Sequence, residues 1–239
     1  MSNIALILGG GSGSRMQQEI PKQFLTIDDC PVIIYTLKAF QNHPEIDSIA
    51  VVCLEGWENV LKAYARQYGI TKLDKVVVGG GSVQESCRNG VFALKDICDD
   101  DDIVILHDGI RPIVDLDVIS SVISTCKKYG NGVSSLPYNE QIFKKTNEVS
   151  TNEYIVRDTL RRVQTPQAYK FGKLVWAYTK AFEEGIGIYG SSYANTMMVD
   201  LGETLYFAGG SEKNIKITTV DDIEIFQALL EAQKPKWLR

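Results

Sequence analysis

The chain has 239 residues and 44% hydrophobic content, enough for a sizeable core and in keeping with one α/β domain over 1–239. Its net charge of −5 argues against nucleic acid or an anionic membrane as a partner, since either needs a basic face. The five cysteines (Cys30, Cys53, Cys87, Cys98 and Cys126) are odd in number and include no C-x-x-C pair, so a disulfide framework and a zinc ribbon are both disfavoured and reduced thiols are expected. The first residues enter a strand with no charged-then-apolar leader, and no apolar run reaches transmembrane length. A soluble, cytoplasmic protein is expected.

Strand and helix alternate along the chain, which predicts a mostly parallel sheet covered by helices on both faces. An apolar run over 4–8 makes a buried first strand that ends in Gly9, Gly10, Gly11, Ser12 and Gly13. Glycines there let backbone amides approach a polyanion, and a following helix N-terminus adds positive potential. Arg15 and Lys22 put two cations beside that loop, at the sheet edge where open α/β folds bind ligands. Two common phosphate motifs fail. G-x-G-x-x-G meets Ser14 from Gly9 and Met16 from Gly11, which removes support for a nicotinamide-dependent oxidoreductase. G-x-x-x-x-G-K-[ST] meets Ser14 from Gly9 and Arg15 from Gly10.

Helical spacing follows over 31–40, then a buried strand over 49–54, an amphipathic helix over 57–68 and a strand over 75–78 that ends in Gly79, Gly80 and Gly81. A helix over 82–94 carries Ser86, and the acidic run over 99–102 reads as a solvated loop. The strand over 103–106 ends in His107-Asp108-Gly109-Ile110-Arg111-Pro112. A carboxylate at that tip, on the same edge as the first glycine loop, is placed to hold a divalent cation against a triphosphate. Arg111 would either neutralise phosphate or stabilise the turn through Asp108, and His107 reads as a packed, hydrogen-bonded residue. A helix over 116–129 and a strand near 133–136 precede a polar stretch that suits an exposed hairpin arm at about 138–156. Thr165-Pro166 has the form of a helix start, with a further helix over 171–182. Near the end, Ile215 and Ile217 would point one way and Asn214, Lys216 and Thr218 the other, before Thr219 and Asp222 cap a last helix over 223–232.

The string G-G-G-x-G-x-R-M followed by P-K-Q-F-L resembles the signature of nucleotide-diphosphosugar-type nucleotidyltransferases. It is most similar to the cytidylyltransferases acting on methylerythritol phosphate or ribitol phosphate. H-D-G-x-R-P at 107–112, Q-T-P-Q at 164–167 and N-I-K-I-T-T at 214–219 extend the likeness from Ile4 to Asp222. The resemblance implies a Rossmann-like fold and attack by a substrate phosphate on the α-phosphorus of CTP, with Mg²⁺ as cofactor and pyrophosphate as leaving group. Arg15, Lys22 and Lys216 would be the catalytic cations, and Asp108 the metal-associated carboxylate. Leu8, Gly9, Gly10, Gly11, Gly13, Gly80, Gly81, Ser86, Asp108 and Gly109 would form the nucleotide site. Arg111, Gln141, Arg157 and Thr165 would meet the acceptor, a small phosphorylated polyol. The arm would cross to a second subunit, giving a homodimer.

Three departures from the family pattern fall near the base and acceptor sites. Val83 stands where an arginine is usual, with Arg88 farther along. Glu140-Gln141 replaces an aspartate–threonine pair, and Ser192-Tyr193-Ala194 replaces an acidic T-D-[DA] segment. The V-R-D-x-x-x-x-x-Q-T-P-Q run leans toward ribitol 5-phosphate as acceptor. Methylerythritol phosphate cytidylyl transfer and a nucleotide-binding homologue without turnover stand as alternatives.

Overall fold

The computed structural model describes residues 1–11, 20–190 and 193–233. In chain order its elements are β1 (Asn3–Gly9), the two short strands β2 (Thr26–Ile27) and β3 (Cys30–Pro31), α1 (Val32–Asn42), β4 (Ser48–Cys53), α2 (Glu58–Gln67), β5 (Leu73–Val78), α3 (Val83–Ala93), β6 (Ile103–Asp108), α4 (Leu116–Tyr129), β7 (Asn131–Pro137), β8 (Ile142–Lys144), β9 (Glu153–Ile155), β10 (Arg161–Lys170), α5 (Phe171–Glu184), α6 (Ala194–Asp200), β11 (Phe207–Gly209) and α7 (Val220–Gln233). Every helix and strand expected up to 137, and the helix at 171, matches one of these within two residues at each end.

Seven strands form one sheet in the order β11-β7-β10-β6-β1-β4-β5. β1 pairs in parallel with β4 and β6, β4 with β5, and β11 with β7, whereas β10 runs antiparallel to both β6 and β7. The mostly parallel α/β fold is as expected. Alternation along the central strands builds two cores. Ala5, Ile7, Ile49, Val51, Ile103 and Ile105 face α1, α2 and α4, while Ile4, Leu6, Ala50, Val52, Val104 and Leu106 face α3, α5 and α6. A third, smaller cluster packs Phe226 of α7 against Val32, Ile110, Ile113 and Ile217.

Helix α4 ends at Gly130, whose φ of 91° is the left-handed cap that glycine adopts without strain. Two residues on, Gly132 of β7 lies so close to the same helix that a Cβ would sit 2.7 Å from the Val122 carbonyl oxygen and 2.8 Å from Thr125 Cβ. Backbone cannot yield there as a side-chain tip can. Gly132→Ala is expected to push α4 off the sheet and cost about 2 kcal/mol, read as a lower urea midpoint at unchanged slope.

Three expectations are corrected by the fold. Thr165-Pro166 does not start a helix: it lies inside β10 with a cis peptide bond, at a register shift against β7, and Gln167 to Lys170 continue pairing with Leu106 to Ile103. Asp102 is not solvated like its neighbours; it is buried and accepts the Ser2 and Asp99 amides, so it pins the start of β1. The segment 214–218 is not a strand, and Asn214 is fully buried rather than facing Lys216's side. Its amide donates to the Thr165 carbonyl at 2.7 Å. The capping of the last helix holds: Asp222 accepts the Thr219 amide at 2.7 Å, and its own amide points to Thr219 Oγ1 at 3.3 Å.

Candidate active site

Register places the turns of interest along one sheet edge. Gly9 lies beside Cys53, Cys53 beside Val78, and Leu8 beside Asp108. With β4 and β6 on opposite sides of β1, this edge is the switch point where an α/β sheet opens a crevice. Two glycine turns meet across it. A Cβ on Gly10 would touch Gly79 Cα and Ser86 Oγ, each at 3.5 Å, and one on Gly79 would press Ser86 Oγ at 3.0 Å. Ser86 itself accepts the Gly80 amide at 3.0 Å, so its hydroxyl knits the second turn.

The first turn is held by a buried glutamine. Gln23, 1% exposed, donates its amide to the carbonyls of Gly9 (2.8 Å) and Gly11 (2.9 Å). It sits in a short 3-10 turn, Lys22–Phe24, whose Phe24 stacks on Trp57 with ring centroids 4.6 Å apart. Lys22 is thus carried by a turn fixed on both sides. Gln23→Ala would strip two carbonyls of their donor, and a loss of about 1–2 kcal/mol in urea unfolding is expected. Gly13 and Arg15 lie outside the described residues.

At the tip of β6, one carboxylate oxygen gathers two cations. Asp108 Oδ2 lies 3.0 Å from Arg111 Nε and 3.1 Å from Lys216 Nζ. Burial opposes ionisation of Asp108, but the Lys216 ammonium and the Arg111 guanidinium outweigh it and hold the carboxyl below its usual range. Arg111 also donates through Nη1 to the Asn214 carbonyl at 2.7 Å, so its guanidinium ties the turn after β6 to the 214–218 segment. The Asp108 amide donates to Thr165 Oγ1 at 3.1 Å, and the Gly109 amide to the Leu8 carbonyl at 2.9 Å. Thr165, Leu8 and Lys216 therefore converge on Asp108 from three remote segments. His107 is packed, as expected: its ring lies 5.1 Å from Phe40, and Nε2 is 3.1 Å from the Arg111 carbonyl.

Among the described residues no group of three or more His, Cys, Asp or Glu side chains could hold a metal ion. The Asp108 carboxylate at the tip of β6 fits a cation shared with phosphate oxygens of a ligand, the way hard divalent ions are commonly bound, rather than an all-protein cage.

Gln141 and Arg157 are not brought to this cluster within one chain. Gln141 is exposed just before β8, and Arg157 donates to the Asn139 carbonyl at 3.3 Å at the root of the arm. The arm itself is a separate antiparallel pair, β8 with β9, bearing exposed Phe143, Tyr154, Ile155 and Val156.

A family model described as "IspD: 2-C-methyl-D-erythritol 4-phosphate cytidylyltransferase" matches residues 3–232. The chain belongs to this cytidylyltransferase family. A ribitol-5-phosphate cytidylyltransferase of Lacticaseibacillus paracasei is 55% identical over 230 residues, covering 96% of this chain and 98% of that protein. A 2-C-methyl-D-erythritol 4-phosphate cytidylyltransferase of Clostridium acetobutylicum is 35% identical over 231 residues, covering 96% and 97%. The crystal structure of the Francisella tularensis 2-C-methyl-D-erythritol 4-phosphate cytidylyltransferase superposes with a TM-score of 0.78 at 25% identity, over 95% of this chain and 99% of that one.

Two of the departures from the cytidylyltransferase pattern have structural outcomes. Arg88 does not replace the arginine missing at Val83: it is half-buried, with its guanidinium over the rings of Phe92 and Phe182 at 5.0 and 4.7 Å. Tyr193 instead reaches the site, with its ring 5.5 Å from Lys216 Nζ.

Proposed function

We propose that this chain transfers the cytidylyl group of CTP to ribitol 5-phosphate, forming CDP-ribitol and releasing pyrophosphate. The observation that carries this reading is the 55% identity to a ribitol-5-phosphate cytidylyltransferase along nearly the whole of both chains. The site supports the chemistry. Both reactants are anions, so catalysis rests on positioning and charge compensation more than on covalent help. An oxygen of the acceptor phosphate attacks the α-phosphorus, and the bond to the bridging oxygen of pyrophosphate breaks. Lys22 and Lys216 flank the reacting phosphorus, and Arg15 meets the triphosphate. The amides of Gly9 to Gly11 and Gly79 to Gly81 line the nucleotide crevice. Thr165, with its oxygen already accepting the Asp108 amide, keeps its own proton for the acceptor phosphate. Asp108 would hold Mg²⁺, whose charge offsets that of the triphosphate.

The exposed apolar side chains of the arm favour a homodimer in which the arm reaches a second copy and brings Gln141 and Arg157 to that copy's acceptor site. Among the described residues no helix is long and apolar enough to cross a membrane. The second reading, transfer to 2-C-methyl-D-erythritol 4-phosphate, is favoured by the name of the matching family model and by the 35% identical clostridial relative.

The deciding measurement is pyrophosphate release with Mg²⁺, each of the four nucleoside triphosphates, and ribitol 5-phosphate, methylerythritol 4-phosphate or glycerol phosphate as acceptor. Turnover with CTP and ribitol 5-phosphate at kcat/KM well above the others is expected. Preference for methylerythritol 4-phosphate would install the second reading. CTP-induced thermal stabilisation with no turnover on any acceptor would leave a binding protein.

A further inference from the structure

Lys216 is a long, flexible side chain asked to hold one ammonium at a defined point, and Asp108 alone cannot keep it there. Asp108 Oδ2 is shared with Arg111, and the same carboxylate is the one placed to meet the counter-cation of the nucleotide. A second restraint is present on the other side. The ring of Tyr193 lies 5.5 Å from Lys216 Nζ, within the range at which an aromatic face attracts a cation. The backbone that carries the ring is anchored: the Tyr193 amide donates to Thr196 Oγ1 at 2.9 Å, and the helix it opens, α6, buries Met197 and Met198 completely or nearly so. Tyr193 is nonetheless 46% exposed, so the ring is not there to fill the core.

We infer that Tyr193 is a positioning residue: its ring holds the Lys216 ammonium in the crevice when the Asp108 carboxylate turns to the nucleotide's cation. The inference rests on the cytidylyltransferase reading for its catalytic consequence, but the contact itself can be tested without turnover. Tyr193→Ala is expected to lower kcat about tenfold, in line with loss of one partly desolvated cation–aromatic contact, and to leave the KM for CTP nearly unchanged. Tyr193→Phe, which keeps the ring, should restore kcat to within about twofold of the parent.

The decisive arm is a double-mutant cycle with Lys216→Ala. If Tyr193 acts through Lys216, adding Tyr193→Ala to that variant removes nothing further; independent losses that multiply would overturn the inference. By NMR, the side-chain methylene protons of Lys216 next to the ammonium should be shifted upfield by the ring, should keep that shift with Mg²⁺ and CTP bound, and should lose it in Tyr193→Ala. An identical Lys216 spectrum in parent and Tyr193→Ala overturns the inference whatever the activity. Absence of turnover in the parent, with the ring shift present, would instead count against the proposed reaction and leave the contact standing.

Discussion

Lys216→Ala is expected to lower kcat for pyrophosphate release by about 10²–10³-fold, with the KM for CTP moved by only a few-fold. The reasoning is one of differential charge. On the proposed reaction, the ground-state triphosphate would also draw on Lys22, backbone amides and a divalent cation, so one lost ammonium would weaken binding little. In the transition state charge grows around the α-phosphorus, and a preorganised cation there does work that water cannot replace. The fold should tolerate the change, because Arg111 remains 3.0 Å from Asp108 Oδ2 and Lys216 is itself 30% exposed. Melting temperatures of parent and variant are therefore expected to agree within a few degrees. A loss of less than about fivefold in kcat at unchanged stability would reduce Lys216 to a structural partner of Asp108.

Legibility of this molecule in its sequence follows the range of the interactions. β1, β4, β6 and their helices announce themselves because each is buried on both faces or along one stripe, so the pattern is local. The glycine turns and Asp108 are legible for a related reason: a strand end is a local feature, and parallel register then puts all such ends on one edge. β10 was not legible. Thr165-Pro166 carries a helix-start signal, and only pairing with β6 and β7 makes the segment extended. Gln23 and Asn214 failed in the same way, since a buried amide and a solvated one look alike until the carbonyls they serve are in place. The meeting of Tyr193 with Lys216 joins segments either side of β11 and carries no local signature. The arm lies between these cases: its polar, turn-rich run marks an exposed hairpin, but the pattern does not say that Phe143, Tyr154 and Ile155 stand exposed on it.

His107→Gln is expected to flatten the acid side of the stability profile measured without divalent cations. Burial of the imidazole, opposed in part by the Arg111 carbonyl, pushes its pKa from 6.5 down to about 4. The ring is completely inaccessible, and Nδ1 has no partner among the described residues, so the neutral tautomer with its proton on Nε2 is the one the fold accepts. The unfolded chain then binds a proton that the native state refuses. Stability from this group is complete above pH 6.5, falls as pH drops through 6.5, and stops falling near 4, where the native ring is protonated too. The loss amounts to about 3 kcal/mol across that window. Asp102, Asp108 and Asp222, all held below the usual carboxylate range, add losses of the same sign at lower pH, and His43, lowered by burial, adds to the upper window. Glutamine keeps a donor for the Arg111 carbonyl without a titrating ring. Urea unfolding at half-unit steps from pH 7.5 to 4 should show a shallower slope in the variant, the remainder belonging to His43 and, toward pH 4, to the three aspartates. Parallel profiles for parent and variant would mean that His107 is protonated in the native state, and that its burial is compensated by a neighbour other than the Arg111 carbonyl.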